Sequence, residues 1–255
     1  MIKIAFFDVD GTLLSFKTHA MPESTKRALA ALRAAGVRTV ISSGRADYQL
    51  AGGLRHGFDA YITMNGQLCY DEAGSYRSHP LNDADVRAVI DMAVAEGFDL
   101  LVAHADRTFS TNRGARVRGI EEKVGLHYPQ EPVENAFKQP VYQFCACVGP
   151  EDEPKILEAT EHVALTRWTN LFCDVVPDEG GKSYGVAATL ERYGIAAEEA
   201  IAFGDGENDL SMFEAVGTAV AMGNAWDMVK ERADYVTDAV DDDGIWNACA
   251  HFGLV

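Results

Sequence analysis

The stretch Ile4-Ala5-Phe6-Phe7-Asp8-Val9-Asp10-Gly11-Thr12-Leu13-Leu14 decides how this chain is read. Four consecutive apolar residues are the pattern of a strand buried on both faces, as in a parallel sheet, and Gly11 breaks the run. Asp8 and Asp10 then leave the carboxyl end of that strand, the edge at which open α/β sheets bind their ligands. Two like charges this close repel each other, so the pairing is costly unless a cation or a proton-transfer task uses it. Taken alone, D-x-D-G reads equally well as a solvated acidic turn. An EF-hand loop is excluded, because the spacing lacks a further oxygen ligand before the glycine and a late Glu.

Outward from this strand the chain alternates strand and helix. Pro22 opens a helical pattern that stops at Gly36, and residues 37–42 form a strand ending in Ser43-Gly44-Arg45. A helix is expected from about Ala46 to Arg55. Tyr61-Ile62-Thr63 is a third strand running into the turn pair Asn65-Gly66, with Gln67 to Tyr70 returning as a hairpin arm. Near Asn82 the texture changes. A helix at 83–96 is followed by strand-like segments at 100–103, 107–111, 142–148, 163–168 and 172–176, with helices near Gly114 and at 153–159. Such runs suggest an α+β unit with an antiparallel sheet. After Lys182 the alternation resumes, with strands at 200–203, 218–222 and 235–236 and helices starting near 182, 208, 225 and 244. The expected fold is α/β: a Rossmann-like parallel-sheet core from residues 1–81 and 182–255, interrupted by an inserted α+β cap domain at 82–181.

A second acidic cluster, Phe203-Gly204-Asp205-Gly206-Glu207-Asn208-Asp209-Leu210, again sits between a strand end and a helix start. An EF-hand reading fails here too: Leu210 stands where the glycine belongs and Val216 where the final Glu belongs. By itself, an acidic helix start can serve only the helix dipole. Together the two loops bring Asp8, Asp10, Asp205 and Asp209 to one edge of one sheet. Several unpaired carboxylates in one pocket are strongly unfavourable without a cation, and hard oxygen ligands suit Mg²⁺ better than Zn²⁺. Ser43-Gly44-Arg45 adds a hydroxyl, a close-approach glycine and backbone N–H groups. Lys182 adds a mobile point cation able to hold a phosphoryl oxygen. Taken singly, Ser43 reads as a helix cap and Lys182 as a solvated lysine.

Composition bounds the partners. The chain has 255 residues, 47% hydrophobic and 24% charged, with a net charge of −17. That excess argues against nucleic acid or an anionic membrane as partner, since both need a basic face. It does not exclude a small anionic substrate, because charges beyond ~8 Å are largely screened at physiological salt. Asp8 cuts the amino-terminal apolar run too early for a signal peptide, and the uncharged stretch Ala215–Trp226 is well short of the ~18 residues of a membrane span. Cys69, Cys145, Cys147, Cys173 and Cys249 contain no C-x-x-C pair and read as buried core thiols in a reducing, cytoplasmic setting.

D-V-D-G-T-L at 8–13, S-G-R at 43–45, Lys182 and G-D-G-E-N-D at 204–209, in that order, resemble the motifs of the haloacid dehalogenase superfamily of phosphatases. Asn65-Gly66, Met222-Gly223-Asn224-Ala225 and the late cap position resemble its Cof-type branch of small-metabolite and sugar-phosphate phosphatases. The resemblance implies that Asp8 is the nucleophile, forming an aspartyl-phosphate, and that Asp10 is the general acid and base. It implies Mg²⁺ held by Asp8, the backbone carbonyl of Asp10 and Asp205, with Asp209 ligating or orienting. Ser43 and Lys182 would balance the phosphoryl oxygens, and Gly44, Arg45, Asn65 and Asn208 would join Lys182 in binding substrate. Family dehalogenases lack the second acid, Asp10. A phosphotransferase or mutase on the same chemistry remains open, as does a non-catalytic metabolite-binding protein. One departure is visible: Val240 replaces the usual asparagine in Thr237-Asp238-Ala239-Val240-Asp241. Leaving-group choice is expected on the cap, with Asp106, Arg107, Asn112, Arg113, Trp168 and Asn170 as candidates, although Trp168 reads more simply as packing. The implied partner is a small phosphorylated metabolite, acted on by a monomer or homodimer.

Overall fold

Ile4–Phe7 (β1) is buried on both faces in the computed structural model of the protein, which describes residues 1–50 and 52–255. It is followed by α1 (Glu23–Ala34), β2 (Arg38–Ser42), β3 (Ala60–Thr63), β4 (Leu68–Asp71) and β5 (Gly74–Ser78). An inserted unit comprises α2 (Asp83–Glu96), β6 (Leu100–Ala103), β7 (Thr108–Ser110), α3 (Ala115–Val124), β8 (Gln143–Ala146), α4 (Glu153–Ala159), β9 (Val163–Thr169) and β10 (Phe172–Pro177). The chain ends with α5 (Lys182–Tyr193), β11 (Ala200–Gly204), α6 (Leu210–Glu214), β12 (Thr218–Ala221), α7 (Asp227–Lys230), β13 (Tyr235–Val236) and α8 (Gly244–His251).

The first sheet has eight strands in the order β13-β12-β11-β1-β2-β3-β4-β5. Strands β13 through β3 run parallel, and β4 and β5 close the edge antiparallel. Because strand side chains alternate, Ala5 and Phe7 face the layer of α1 and α8, while Ile4 and Phe6 face α5 and α6. Each large apolar side chain buried this way contributes roughly 1.5–3 kcal/mol. Phe7 also stacks on Phe203 of the neighbouring β11, with ring centroids 4.9 Å apart. These contacts lock β1 beside β11, so both acidic loops emerge side by side.

The second sheet, β7-β6-β8-β10-β9, is wholly antiparallel. One face packs on α2 and α4 through Val86, Val89, Ile90 and Ile156. The other packs Leu101, Cys147 and Phe172 against Val117, Ile120 and Val124 of α3. Among the described residues, no helix is long and apolar enough to cross a membrane.

Two expectations fail. The helix expected over 46–55 is replaced by 3-10 turns at Asp47–Gln49 and Gly52–Leu54; Ala51 lies outside the described residues. The side chain of Gln49 accepts the Ala46 N–H at 2.8 Å and Arg45 donates to the Gln49 carbonyl at 3.1 Å, which pins the segment in a turn. Gly52 and Gly53 disfavour a helix as well. Strand β5 was also not expected, because Gly-Ser-Tyr-Arg-Ser is an edge strand without apolar alternation.

After β3 the backbone turns through Met64, Asn65 and Gly66, all at positive φ (49°, 52° and 93°). A Cβ on Gly66 would lie 2.3 Å from the Gly181 carbonyl oxygen, and one on Gly185 2.4 Å from Ile62 Cγ2. The amino end of α5 therefore seats directly on this turn, and Lys182 is its first residue. Replacing Gly66 by Ala combines overpacking with a strained φ and is expected to destabilise the protein by at least about 2 kcal/mol. Urea unfolding checks this; an unchanged midpoint would contradict the packing.

Candidate active site

Asp8 follows β1 directly, with its N–H bonded to the Phe203 carbonyl at 3.0 Å. Asp205 follows β11, and Thr12 from the first loop donates its hydroxyl to Asp205 Oδ1 at 3.0 Å. The approach is tight. Gly11 sits at φ 92°, and a Cβ there would lie 2.2 Å from Asp205 Oδ2; one on Gly204 would lie 2.4 Å from Asp209 Cγ. Asp209 is fully buried with both oxygens engaged. Its Oδ2 accepts the N–H groups of Asp205 and Gly206, and its Oδ1 accepts from Lys182 Nζ at 2.6 Å. The same ammonium donates to Asp8 Oδ1 at 2.5 Å. Lys182 is thus a buried, tethered cation behind Asp8, not the mobile one expected from sequence.

Oxygens of Asp8, Asp205 and Asp209 lie within 4.8 Å of one another. One ammonium leaves negative charge uncompensated when all three are ionised. Burial, together with Asp209 and Asp10, outweighs the pull of Lys182 and raises Asp8 to a pKa of about 7. Burial and the neighbouring Asp8 and Asp209 hold Asp205 well above the usual carboxylate range. Burial works against the charge of Lys182, but Asp209 and Asp8 more than reverse it and its pKa is raised. Buried, oxygen-only and short of positive charge, the cluster is compatible with a hard divalent cation.

Asp10 is gripped by the Arg45 guanidinium, with Nε to Oδ2 at 2.7 Å and Nη2 to Oδ1 at 2.6 Å. The fork reaches further: Nη2 also donates to the Val124 carbonyl of α3, at 3.1 Å, tying the first sheet to the inserted unit. Ser43 Oγ accepts the Arg45 N–H at 3.1 Å. Asp8, Asp10, Ser43, Gly44, Arg45, Asp205 and Asn208 line a cavity of about 370 Å³, the size of a small-ligand site. Asn65 does not line it. Fully buried, it donates to Gln143 and Asp174 of the inserted unit, both at 3.0 Å, and accepts from Asn208 at 3.0 Å. Gly44 lies over it, for a Cβ there would be 3.3 Å from Asn65 Nδ2. Asn224 bridges the Gly11 carbonyl and the Val240 N–H, both at 2.8 Å, so the loop contact at Val240 is made through the backbone.

Across the cavity, the inserted unit contributes a wall that sequence reading missed except at Trp168. Leu101, Ile120, Leu126, Tyr128, Gln143 and Phe172 are among its residues. Asp174 and Cys145 line it as well, so Cys145 is not simply a core thiol. Burial raises Asp174 to about 6, against the opposing hydrogen bonds from Cys145 and Asn65. The other expected cap residues point elsewhere: Arg107 pairs with Glu131, Arg113 with Glu121, and the Asn170 carbonyl accepts from Arg116. Asp106 accepts from Gln139, and Asn112 turns its carbonyl to Ser110 Oγ. None of these five residues lines the cavity.

A profile of haloacid dehalogenase-like hydrolases matches residues 5–249. YkrA of Bacillus subtilis strain 168 is 34% identical over 256 residues, covering 99% of this chain and 98% of that protein. The 5-amino-6-(5-phospho-D-ribitylamino)uracil phosphatase YwtE of the same organism is 26% identical over 274 residues, 96% of each chain. The solved structure of the subclass IIB sugar phosphatase BT4131 superposes with a TM-score of 0.93 at 32% identity, covering 99% of this chain and 100% of that one.

Replacing Lys182 by Met removes the cation between Asp8 and Asp209 and is expected to cost about 3–5 kcal/mol at neutral pH. The sign of its pH dependence follows from Asp8. A folded-state pKa above the unfolded 3.8, already about 7 with the lysine present, means that the folded protein binds the proton more tightly. The deficit is therefore largest above pH 7 and shrinks on acidification. Urea titrations across pH check this, and a deficit that grows on acidification would contradict it.

Proposed function

This chain belongs to the haloacid dehalogenase-like hydrolase family and is a phosphatase of its Cof-type branch, and from that premise we propose that it hydrolyses small phosphorylated metabolites, sugar phosphates or phosphorylated cofactors, through an aspartyl-phosphate on Asp8 with Mg²⁺ as cofactor. The observation that carries this reading is the contrast in surroundings between two carboxylates facing one cavity. Asp8 is backed by Lys182, whereas Asp10 is held apart by Arg45.

Asp8 and Asp205, with the backbone carbonyl of Asp10, are the groups that would hold Mg²⁺, and Asp209 would orient them. Bound there, the ion would polarise a phosphoryl oxygen and offset the excess negative charge of the cluster. An Asp8 oxygen attacks phosphorus in line, the bond to the leaving oxygen breaks, and Asp10 gives that alkoxide its proton. Asp10 then takes a proton from water, whose oxygen attacks phosphorus and expels the Asp8 carboxylate, releasing inorganic phosphate. Both Asp10 oxygens accept from Arg45, an arrangement that fits the base of the second step, whereas giving a proton in the first requires one oxygen to be released from the guanidinium. Ser43 contributes to holding the phosphoryl oxygens, Lys182 acts on them through Asp8, behind which it is buried, and Gly44, Arg45 and Asn208 frame the substrate. Asn65 acts through Asn208 rather than by touching it.

Residues 82–181 form the cap in this reading, with residues 1–81 and 182–255 as the core. Because Arg45 spans Asp10 and the Val124 carbonyl, closing the cap sets the orientation of the proton donor. The reading includes a cytoplasmic setting, supported by five free cysteines, and a monomer or homodimer.

Asp8→Asn is expected to lower Mg²⁺-dependent turnover of p-nitrophenyl phosphate by at least about a thousandfold. Its thermal melt should be unchanged or higher, because the amide removes a carboxyl group whose ionisation burial opposes. Retained turnover would show that Asp8 is not the nucleophile.

A further inference from the structure

The cap side of the cavity is poor in free polar groups. Leu101, Ile120, Leu126, Trp168 and Phe172 present apolar or aromatic surface, and Trp168 meets Phe172 edge-on at 5.3 Å. Of the polar side chains among them, Thr108 and Gln143 are bonded within the protein, whereas, among the described residues, the Lys123 ammonium is held only over aromatic rings. Thr108 bonds to Tyr48 at 2.7 Å and to Gln49 at 3.1 Å. The Gln143 amide accepts from Asn65 and donates to Asp174. The Lys123 ammonium lies over the rings of Phe16 and Trp168, at 4.9 and 5.6 Å. A polyol carrying a hydroxyl on nearly every carbon would leave several of them facing Leu101, Ile120, Leu126 or Phe172 without partners, and buried unpaired hydroxyls are costly.

Besides the Tyr128 hydroxyl, which bonds to no other group among the described residues, the exception is the Asp174 carboxylate. It opens on the cavity, and its partners within the protein are neutral donors: Asn65 Nδ2 at 3.0 Å, Gln143 Nε2 at 2.8 Å and Cys145 Sγ at 3.1 Å. No cation pairs with it among the described residues. A buried carboxylate has more lone pairs than these donors fill, and a further N–H or a positive charge would suit it best.

We propose that the substrate is the phosphate ester of a planar, nitrogen-bearing aromatic ring, its face on the Trp168–Phe172–Ile120 wall and an N–H edge turned to Asp174. This rests on the phosphatase reading and narrows it, since flat apolar faces avoid the unpaired-hydroxyl cost while one polar edge meets the one carboxylate of that wall.

Three Mg²⁺-supported substrates of the same leaving type, all phosphorylated on a CH₂–O group, test it. Glucose 6-phosphate is a polyol, benzyl phosphate has a ring without donors, and pyridoxamine 5′-phosphate has a ring with nitrogen donors. The expected kcat/KM rises about tenfold from glucose 6-phosphate to benzyl phosphate and about tenfold again to pyridoxamine 5′-phosphate. Asp174→Asn should remove the second step, and Trp168→Ala should reduce the first. The wild-type series stands alone if either variant fails to fold. Glucose 6-phosphate as the best of the three would overturn the proposal while leaving the phosphatase reading intact. Failure to release phosphate from any of the three or from ring-free acetyl phosphate would instead count against that reading itself.

Discussion

The ammonium of Lys182, buried between Asp8 and Asp209, is the interaction on which the rest of the site depends. Its two partners come from loops that follow different strands, and the lysine itself begins a helix after the inserted unit. Removing several charges from water is unfavourable unless each finds a partner, so the three segments are obliged to converge. Glycines make the convergence sterically feasible. Gly11 and Gly204 admit the Asp205 and Asp209 side chains, and Gly66 admits the backbone that precedes Lys182. The negative charge left over is compatible with a divalent cation at this edge.

A second layer of neutral hydrogen bonds joins that charged floor to the cap. Asn65, in the left-handed turn after β3, accepts from Asn208 beside the acidic loop and donates to Gln143 and Asp174 across the cavity. Holding consecutive residues at positive φ costs of order 1–3 kcal/mol each, and strain of this kind gathers at functional sites. The surrounding bonds offset it: Met64 and Asn65 donate their N–H groups to the carbonyls of Arg45 and Ser43. Through Asn65 on one side and Arg45 on the other, the position of the cap and the geometry of the acidic residues are coupled.

Much of this was legible in the sequence because local chemistry and fold agree. The apolar run at 4–7 is the central strand. Asn82 caps α2 by accepting the Asp85 N–H, and the helix spans Asp83–Glu96 as its pattern requires. The two acidic loops meet because parallel neighbours end at the same edge. What was not legible depended on side chains remote in sequence. Nothing local to Asn65 indicates that its amide turns inward to the cap. The cavity wall arises from alternate residues of antiparallel strands whose register is set by packing, so Asp174 and Gln143 could not be separated from core positions. The 46–55 segment has helical composition, but side-chain bonds from Arg45 and Gln49 hold it in a turn.

The central claim is that Asp8 bonds covalently to phosphorus while Asp10 handles protons. Rapid acid quenching during turnover, followed by peptide mass spectrometry, tests this directly. The account predicts a transient phosphoryl group on the peptide carrying Asp8, absent from Asp8→Asn and accumulating when Asp10 is replaced by Asn and the substrate is p-nitrophenyl phosphate, whose leaving group needs no acid, so that only hydrolysis is slowed. Phosphate release with the label on another residue, or with no modified peptide at any quench time in either the wild type or the Asp10 variant, would contradict it.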